Sequence, residues 1–264
     1  MSERTGYPHG TFCWTDLGTT DAASAKEFYL AVFGWDFEDQ PTDSGDYTMF
    51  SKNGKPVCAL YEQGPERLAA GWSPTWLSYV SVDDADVTAE RASELGAEII
   101  SDPFDVMDAG RMALLSDPHG AAFAMWQPGN HFGAGIVNDP GTMTWNELAT
   151  TDVDGAVEFY TQLFGWGVKS RSDDAETAYT VVQVGDRTNG GIRKISPRQD
   201  SGPDWLVYFT TDSLDRDTET ADDRGGNVLV APMTIPVAGG QSRLAIVQDP
   251  QGAVFALYEG EIDD

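Results

Sequence analysis

The sequence predicts an α+β protein built as a tandem duplication, each copy a curved mixed sheet around a cleft. Three observations carry that expectation. The segment Trp14-Thr-Asp-Leu-Gly-Thr-Thr-Asp21 returns 131 residues later as Trp145-Asn-Glu-Leu-Ala-Thr-Thr-Asp152. The match runs on, with Glu27-Phe28-Tyr29 answered by Glu158-Phe159-Tyr160, Phe33-Gly34-Trp35 by Phe164-Gly165-Trp166, Trp76-Leu77 by Trp205-Leu206, and Asp117-Pro118-His119-Gly120 by Asp249-Pro250-Gln251-Gly252. A repeat this long is a duplicated domain rather than a solenoid unit. Within a copy, hydrophobic period and turn residues mark two successive β-α-β-β-β modules, making four in the chain.

The elements follow in order. Phe12 to Gly18 alternates like a strand. Thr20 or Asp21 can cap a helix whose apolar residues Ala25, Phe28, Tyr29, Val32 and Phe33 keep the 3.6-residue period, and Gly34 supplies a left-handed stop. Copy two repeats that face with Ala156, Phe159, Tyr160, Leu163 and Phe164, closed by Gly165. Short strands are expected near Tyr47 to Ser51 and Pro56 to Tyr61, around the turn Asn53-Gly54. A second cycle gives a strand over Trp76 to Val82 and a helix over Asp84 to Leu95 ended by Gly96. Strands over Ala97 to Ile100, Met112 to Ser116 and Ala122 to Trp126 complete it. The Gly-, Pro- and Asn-rich stretch between the copies reads as a linker. The expected division is domain 1–128, linker 129–141 and domain 142–264. Gly190-Gly191 and Gly239-Gly240 read as turns, since neither joins a strand to a helix in the phosphate-cradling pattern.

Composition narrows the function classes. With 41% hydrophobic residues the chain can fill two cores. Its 16 Lys+Arg against 43 Asp+Glu give a net charge of -27, which repels phosphate backbones and anionic lipid, so neither a nucleic-acid nor a membrane partner is expected. The opening MSERTGYPHG lacks the basic region and apolar run of a signal peptide, so a cytoplasmic location is expected. The two cysteines, Cys13 and Cys58, have no counterparts in copy two and read as strand thiols rather than a disulfide framework.

The strand, then Thr-Thr-Asp, then Ala-x-x-Phe-Tyr, then Phe-Gly-Trp at the head of each copy, with Asp-Pro-x-Gly before its last strand, resembles the vicinal oxygen chelate superfamily. That superfamily takes in glyoxalase I, extradiol dioxygenases, and fosfomycin and bleomycin resistance proteins. The tandem layout with Trp-x-Glu/Asp-Leu is similar to actinobacterial two-domain proteins called glyoxalase-like or hydroxylase. The resemblance covers nearly the whole chain. It implies four βαβββ modules in two glyoxalase-like domains, a small-molecule ligand, and in the metal enzymes a His, Gln or Glu seven residues before the helix-opening Asp. Trp14 and Trp145 hold that position here. Leu77 and Leu206 align with the second ligand, Ala124 and Ala256 with the third. These side chains offer a metal no usable lone pair, so no cofactor is expected.

Strand alternation then places Trp14, Asp16, Leu77, Tyr79, Ala124 and Trp126 in one cleft, and Trp145, Glu147, Leu206, Tyr208, Ala256 and Tyr258 in the other. Each is an aromatic pocket with one carboxylate on its floor. Asp16 and Glu147 are the candidate catalytic carboxylates, and Arg111 and Arg243 the candidate ion-pair partners and ligand contacts. Two roles stay open. The cleft can hold a cationic or aromatic ligand by cation-π contact and charge pairing, or a carboxyl in apolar surroundings can act as a general base beside a carbonyl. A metal-dependent lyase, or a dioxygenase or hydroxylase with a displaced ligand set, is the alternative. Pairing of the copies within one chain is compatible with a monomer or a homodimer.

Overall fold

The computed structural model describes residues 2–171, 179–195, 202–237 and 240–261. After a short strand β1 (Ser2–Glu3), copy one contributes β2 (Phe12–Thr19), α1 (Ala22–Phe33), β3 (Asp36–Thr42), β4 (Gly45–Lys52) and β5 (Lys55–Glu62). A short helix α2 (Pro65–Ala69) leads to β6 (Thr75–Ser81), α3 (Ala85–Glu94), β7 (Glu98–Val106), β8 (Gly110–Ser116) and β9 (Ala122–Pro128). The connecting segment carries β10 (Ile136–Val137). Copy two follows with β11 (Met143–Thr150), α4 (Val153–Phe164), β12 (Gly167–Arg171), β13 (Tyr179–Val184), β14 (Arg187–Lys194), β15 (Asp204–Thr210), α5 (Leu214–Asp223), β16 (Asn227–Val237), β17 (Gly240–Gln248) and β18 (Val254–Glu259).

Two mixed eight-stranded sheets result, ordered β3-β4-β5-β2-β6-β9-β8-β7 and β12-β13-β14-β11-β15-β18-β17-β16. The head strands of the two modules, β2 and β6, pair antiparallel at the centre, and each pairs in parallel with its own module's last strand, β5 or β9. The helix signals act as read. Asp21 Oδ1 accepts from the Ser24 amide at 3.0 Å and Asp152 Oδ1 from the Gly155 amide at 3.1 Å. Gly34 and Gly165 close the helices at φ 64° and 71°, a region costly for any residue with a Cβ.

Three features depart from the sequence reading. β3 carries no apolar alternation and every residue in it is exposed; as an edge strand it is held by backbone pairing to β4, which needs no buried face. Gly190 and Gly191 lie inside β14 rather than in a turn, while Gly239 lies outside the described residues. The connecting segment is packed, not loose: β10 pairs with β1, and the Ala134 and Gly135 amides donate to the Cys13 and Pro56 carbonyls. Both cysteines are free and buried.

The two copies are locked by a reciprocal pair of polar relays. Trp76 Nε1 donates to the Tyr29 hydroxyl at 2.9 Å, and Tyr29 donates to Asp249 Oδ2 of copy two at 2.9 Å. In mirror image, Trp205 Nε1 donates to Tyr160 at 2.9 Å, and Tyr160 donates to Asp117 Oδ2 of copy one at 3.0 Å. Each aspartate spends its other oxygen on its own Asp-Pro-x-Gly turn: Asp117 Oδ1 accepts from the His119 and Ala121 amides, and Asp249 Oδ1 from Gln251, Gly252 and Ala253. Aromatic rings surround the relays, with Phe33 5.1 Å from Phe209, Tyr29 5.5 Å from Phe255 and Tyr160 5.6 Å from Phe123. Trp35 and Trp166 finish the seam by donating to the Gly141 and Gly10 carbonyls, each at 2.7 Å.

Removing either tyrosine hydroxyl leaves a buried indole N–H and a buried carboxylate oxygen without partners. Tyr29→Phe and Tyr160→Phe are each expected to lower stability by about 2–3 kcal/mol in urea unfolding. A change below about 0.5 kcal/mol in both would show that the relays do not hold the seam.

Candidate functional site

On the sheet face opposite α1 and α4, register brings the expected residues together. In copy one Asp16 lies across from Leu77, Trp14 across from Tyr79, and Tyr79 beside Ala124 on β9. In copy two Glu147 lies across from Leu206, Trp145 across from Tyr208, and Tyr208 beside Ala256. Both carboxylates are buried, with Asp16 3% and Glu147 8% exposed.

The same hydrogen-bonded constellation is built twice. Trp14 Nε1 donates to the Tyr47 hydroxyl at 3.2 Å, and Asp16 Oδ2 accepts from Tyr47 at 3.1 Å and Tyr79 at 2.8 Å. Trp145 Nε1 donates to the Tyr179 hydroxyl at 3.0 Å, and the nearby Glu147 charge raises the pKa of Tyr179 and Tyr208. Burial, reinforced by the carboxylate charges, raises the pKa of Tyr47, Tyr79, Tyr179 and Tyr208 well above the usual phenol value, so all four remain neutral donors. Tyr47 and Tyr179 escape the sequence reading because they come from β4 and β13, which reach the clefts only through sheet pairing. Gly191 makes room for one of them. It lies across from Glu147, and a Cβ there would stand 2.0 Å from the Tyr179 hydroxyl.

The copies part at the cation. Arg193 Nε meets Glu147 Oε1 at 2.7 Å. By register the copy-one counterpart of Arg193 is Tyr61, because Gly18 pairs with Tyr61 as Ala149 pairs with Arg193. The copy-one cation is instead Arg67 on α2, which donates to the Tyr61 hydroxyl and lies over Trp72, 5.0 Å from its ring centroid. Among the described residues, Asp16 therefore has no direct ion pair, and its buried Oδ1 has no hydrogen-bond partner. Burial pushes the Asp16 carboxyl up to about 6, against the opposing pull of the Tyr79 and Tyr47 hydroxyls and the Arg67 charge.

Arg111 and Arg243 do not reach the carboxylates. Arg111 binds Asp86 at 2.7 Å and Asp105 at 2.9 Å, and Arg243 binds Asp215 at 2.7 Å and Glu259 at 2.9 Å. The reason is strand parity. Met112, not Arg111, lies beside Trp126, and Leu244, not Arg243, beside Tyr258, so both arginines point to the helix-bearing face. Tyr258 hydrogen-bonds Ser242 Oγ at 2.8 Å. His131, expected in an exposed linker, packs its ring 4.6 Å from Trp14 and 5.9 Å from Trp126, whose Nε1 donates to the His131 carbonyl at 2.8 Å. Burial pulls its imidazole down to about 4, so the ring packed against Trp14 is neutral. The residues that the sequence resemblance aligned with metal ligands are Trp14, Leu77 and Ala124 in copy one and Trp145, Leu206 and Ala256 in copy two. Among the described residues no group of three or more His, Cys, Asp or Glu is placed to hold a metal. The side chains present do not fit a metal centre there.

Comparison with known proteins agrees with this architecture. A sequence-family model described as Glyoxalase/Bleomycin resistance protein/Dioxygenase superfamily matches residues 11–125 and 132–257. The chain is 38% identical to "Putative glyoxylase CFP32" of Mycobacterium tuberculosis, over 98% of both chains. It is 33% identical to "Anthracycline biosynthesis protein DnrV" of Streptomyces peucetius, over 97% of this chain and 95% of that one. Among solved structures, the Mn(II)-bound glyoxalase from Novosphingobium aromaticivorans superposes with a TM-score of 0.68 at 16% identity, covering 100% of this chain and 85% of that one. The 2,3-dioxygenase LapB from Pseudomonas sp. KL28 superposes with a TM-score of 0.67 at 14% identity, covering 96% and 93%.

The raised pKa of the Asp16 carboxyl has a stability signature. Between about pH 4 and 6 the unfolded chain has released this proton while the folded chain still holds it, so stability falls as pH rises through that window and is level above it. Asp16→Asn removes this contribution, worth about 3 kcal/mol at most. Urea titrations of both proteins from pH 4 to 8 are expected to diverge in favour of the variant as pH rises; parallel curves would show Asp16 ionising normally.

Proposed function

Because the chain belongs to the Glyoxalase/Bleomycin resistance protein/Dioxygenase superfamily, we propose that it takes a small organic molecule into the copy-one cleft, where Asp16 exchanges a proton with it. The observation that carries this reading is the lone buried oxygen. Asp16 Oδ1 is unpartnered while Oδ2 is fixed by two tyrosine hydroxyls, so one lone-pair face is held in position for a ligand. With its pKa near 6, the carboxyl is ionised at neutral pH and about two pH units more basic than a solvated aspartate. A carbon acid next to a carbonyl is a suitable proton donor for such a base. Trp14, Leu77, Tyr79 and Trp126 supply the wall that excludes water and orients the ligand. In copy two, Arg193 neutralises Glu147, so that cleft, with Trp145, Leu206, Tyr208 and Tyr258, serves binding or support rather than proton transfer.

The test is solvent exchange. Aliphatic and aromatic carbonyl compounds with acidic C–H bonds are incubated with the protein in D2O, and loss of the α-proton signal is followed by NMR. Exchange is expected to slow as pH falls through about 6, to drop roughly 100-fold or more in Asp16→Asn, and to change less than about threefold in Glu147→Gln. Equal rates in wild type and Asp16→Asn, or no exchange with any compound, would refute the assignment.

Metal loading tests the same site from another side. After incubation with Zn, Ni, Mn or Fe(II) and desalting, elemental analysis is expected to find well under one metal per chain. Near-stoichiometric retention would overturn the alignment of Trp14 and Trp145 with the ligand positions.

A further inference from the structure

In copy two the carboxylate and the cation meet directly, Arg193 against Glu147 at 2.7 Å. In copy one a tyrosine keeps them apart. Tyr61 takes the register position of Arg193, and the charges of Asp16 and Arg67 act on its hydroxyl with opposite sign.

Tyr61 lies across from Gly18, and a Cβ on Gly18 would stand 3.0 Å from the Tyr61 hydroxyl. That hydroxyl therefore hangs over the sheet face that carries Asp16, two residues along β2, or roughly 7 Å of strand. The Tyr61 ring stacks on Tyr47 with 6.4 Å between centroids and 18° between planes, and Tyr47 donates to Asp16 Oδ2. Arg67 donates to the Tyr61 hydroxyl, so its guanidinium reaches the same face. A carboxylate with one unpartnered oxygen and a guanidinium thus flank one tyrosine pair.

Arg67 is half-buried on α2, a helix in which no residue is fully buried. Among the described residues it meets the Tyr61 hydroxyl and the rings of Tyr61 and Trp72, whose centroids lie 5.7 and 5.0 Å away, and no carboxylate pairs with it. A guanidinium has more N–H donors than one hydroxyl uses, and its fork matches the two oxygens of a carboxylate. In a chain of net charge -27, such a group is a local reversal of a field that otherwise repels anions.

We propose that Arg67 binds a carboxylate of the ligand, and that the ligand of the Asp16 site is therefore a carbonyl compound bearing a carboxylate, with the carbon next to its carbonyl at Asp16 Oδ1. This rests on the reading of Asp16 as the base, and the two can fail separately. Arg67 holds the anion at one end while Asp16 breaks the C–H bond at the other and takes the proton. The electron pair moves onto the carbonyl oxygen as an enolate, and return of a proton to the same carbon restores the carbonyl.

The probes are 4-oxo-4-phenylbutanoate and its uncharged primary amide, titrated at pH 8 into the full chain by calorimetry. Wild type is expected to bind the carboxylate at least tenfold more tightly than the amide. In Arg67→Gln that preference should fall to within about threefold, while Arg67→Lys, which keeps the charge but not the fork, should retain part of it. Both variants are expected to fold, because α2 contributes no buried residue. Asp16→Asn removes a like charge and should bind the carboxylate at least as tightly as wild type. Equal affinity for the two probes in wild type, no binding of the carboxylate, or an undiminished preference in Arg67→Gln would overturn the assignment. Carboxylate binding that depends on Arg67, in a protein that exchanges no α-proton, would uphold Arg67 and sink the role given to Asp16. Exchange lost in Asp16→Asn, with a preference indifferent to Arg67→Gln, would do the reverse.

Discussion

The structure depends on two buried aspartates, Asp117 and Asp249, each of which serves two masters. One oxygen gathers the amides of its own Asp-Pro-x-Gly turn and the other accepts a tyrosine hydroxyl from the opposite copy. Burying a carboxylate is costly unless its lone pairs are filled. The turn that starts the last strand of one copy and the first helix of the other are thereby made conditional on each other. The seam is consequently part of each domain's interior rather than a surface between finished domains.

That arrangement explains why the repeated signature is so legible. Tyr29 and Tyr160, Trp35 and Trp166, Trp76 and Trp205 all lie in the seam, where a change on one side leaves an unsatisfied group on the other. The helix-bearing faces of both sheets are constrained twice, by their own copy and by the partner copy. The cleft faces are free of that double constraint. There the copies have diverged from Asp16 to Glu147, from Ala59 to Gly191 and from Tyr61 to Arg193, with an indole-tyrosine-carboxylate framework common to both.

The divergence has a chemical consequence. Placing a guanidinium on the strand at Arg193 satisfies Glu147 directly, whereas moving the cation out to α2 leaves Asp16 with its charge opposed mainly by neutral hydroxyls. A carboxyl in the first setting is held as a salt bridge. In the second it is left basic and unpartnered, which is the condition proton transfer needs.

The sequence by itself determined the duplication, the four βαβββ modules, the helix caps and the strand face that Asp16 and Glu147 share with their aromatic neighbours, because these follow from local period, local capping and the fixed alternation of a strand. Trp14, Asp16, Leu77 and Tyr79, like their copy-two counterparts, were legible for that reason. It could not determine which cation meets which carboxylate: Arg111 and Arg243 were one position out of phase with the cleft face, while Arg193, Arg67, Tyr47 and Tyr179 arrive through strand pairing between segments far apart in the chain. Nor could it place Phe33 against Phe209. Those juxtapositions belong to sheet register and to the docking of one copy on the other, and only the folded chain sets them.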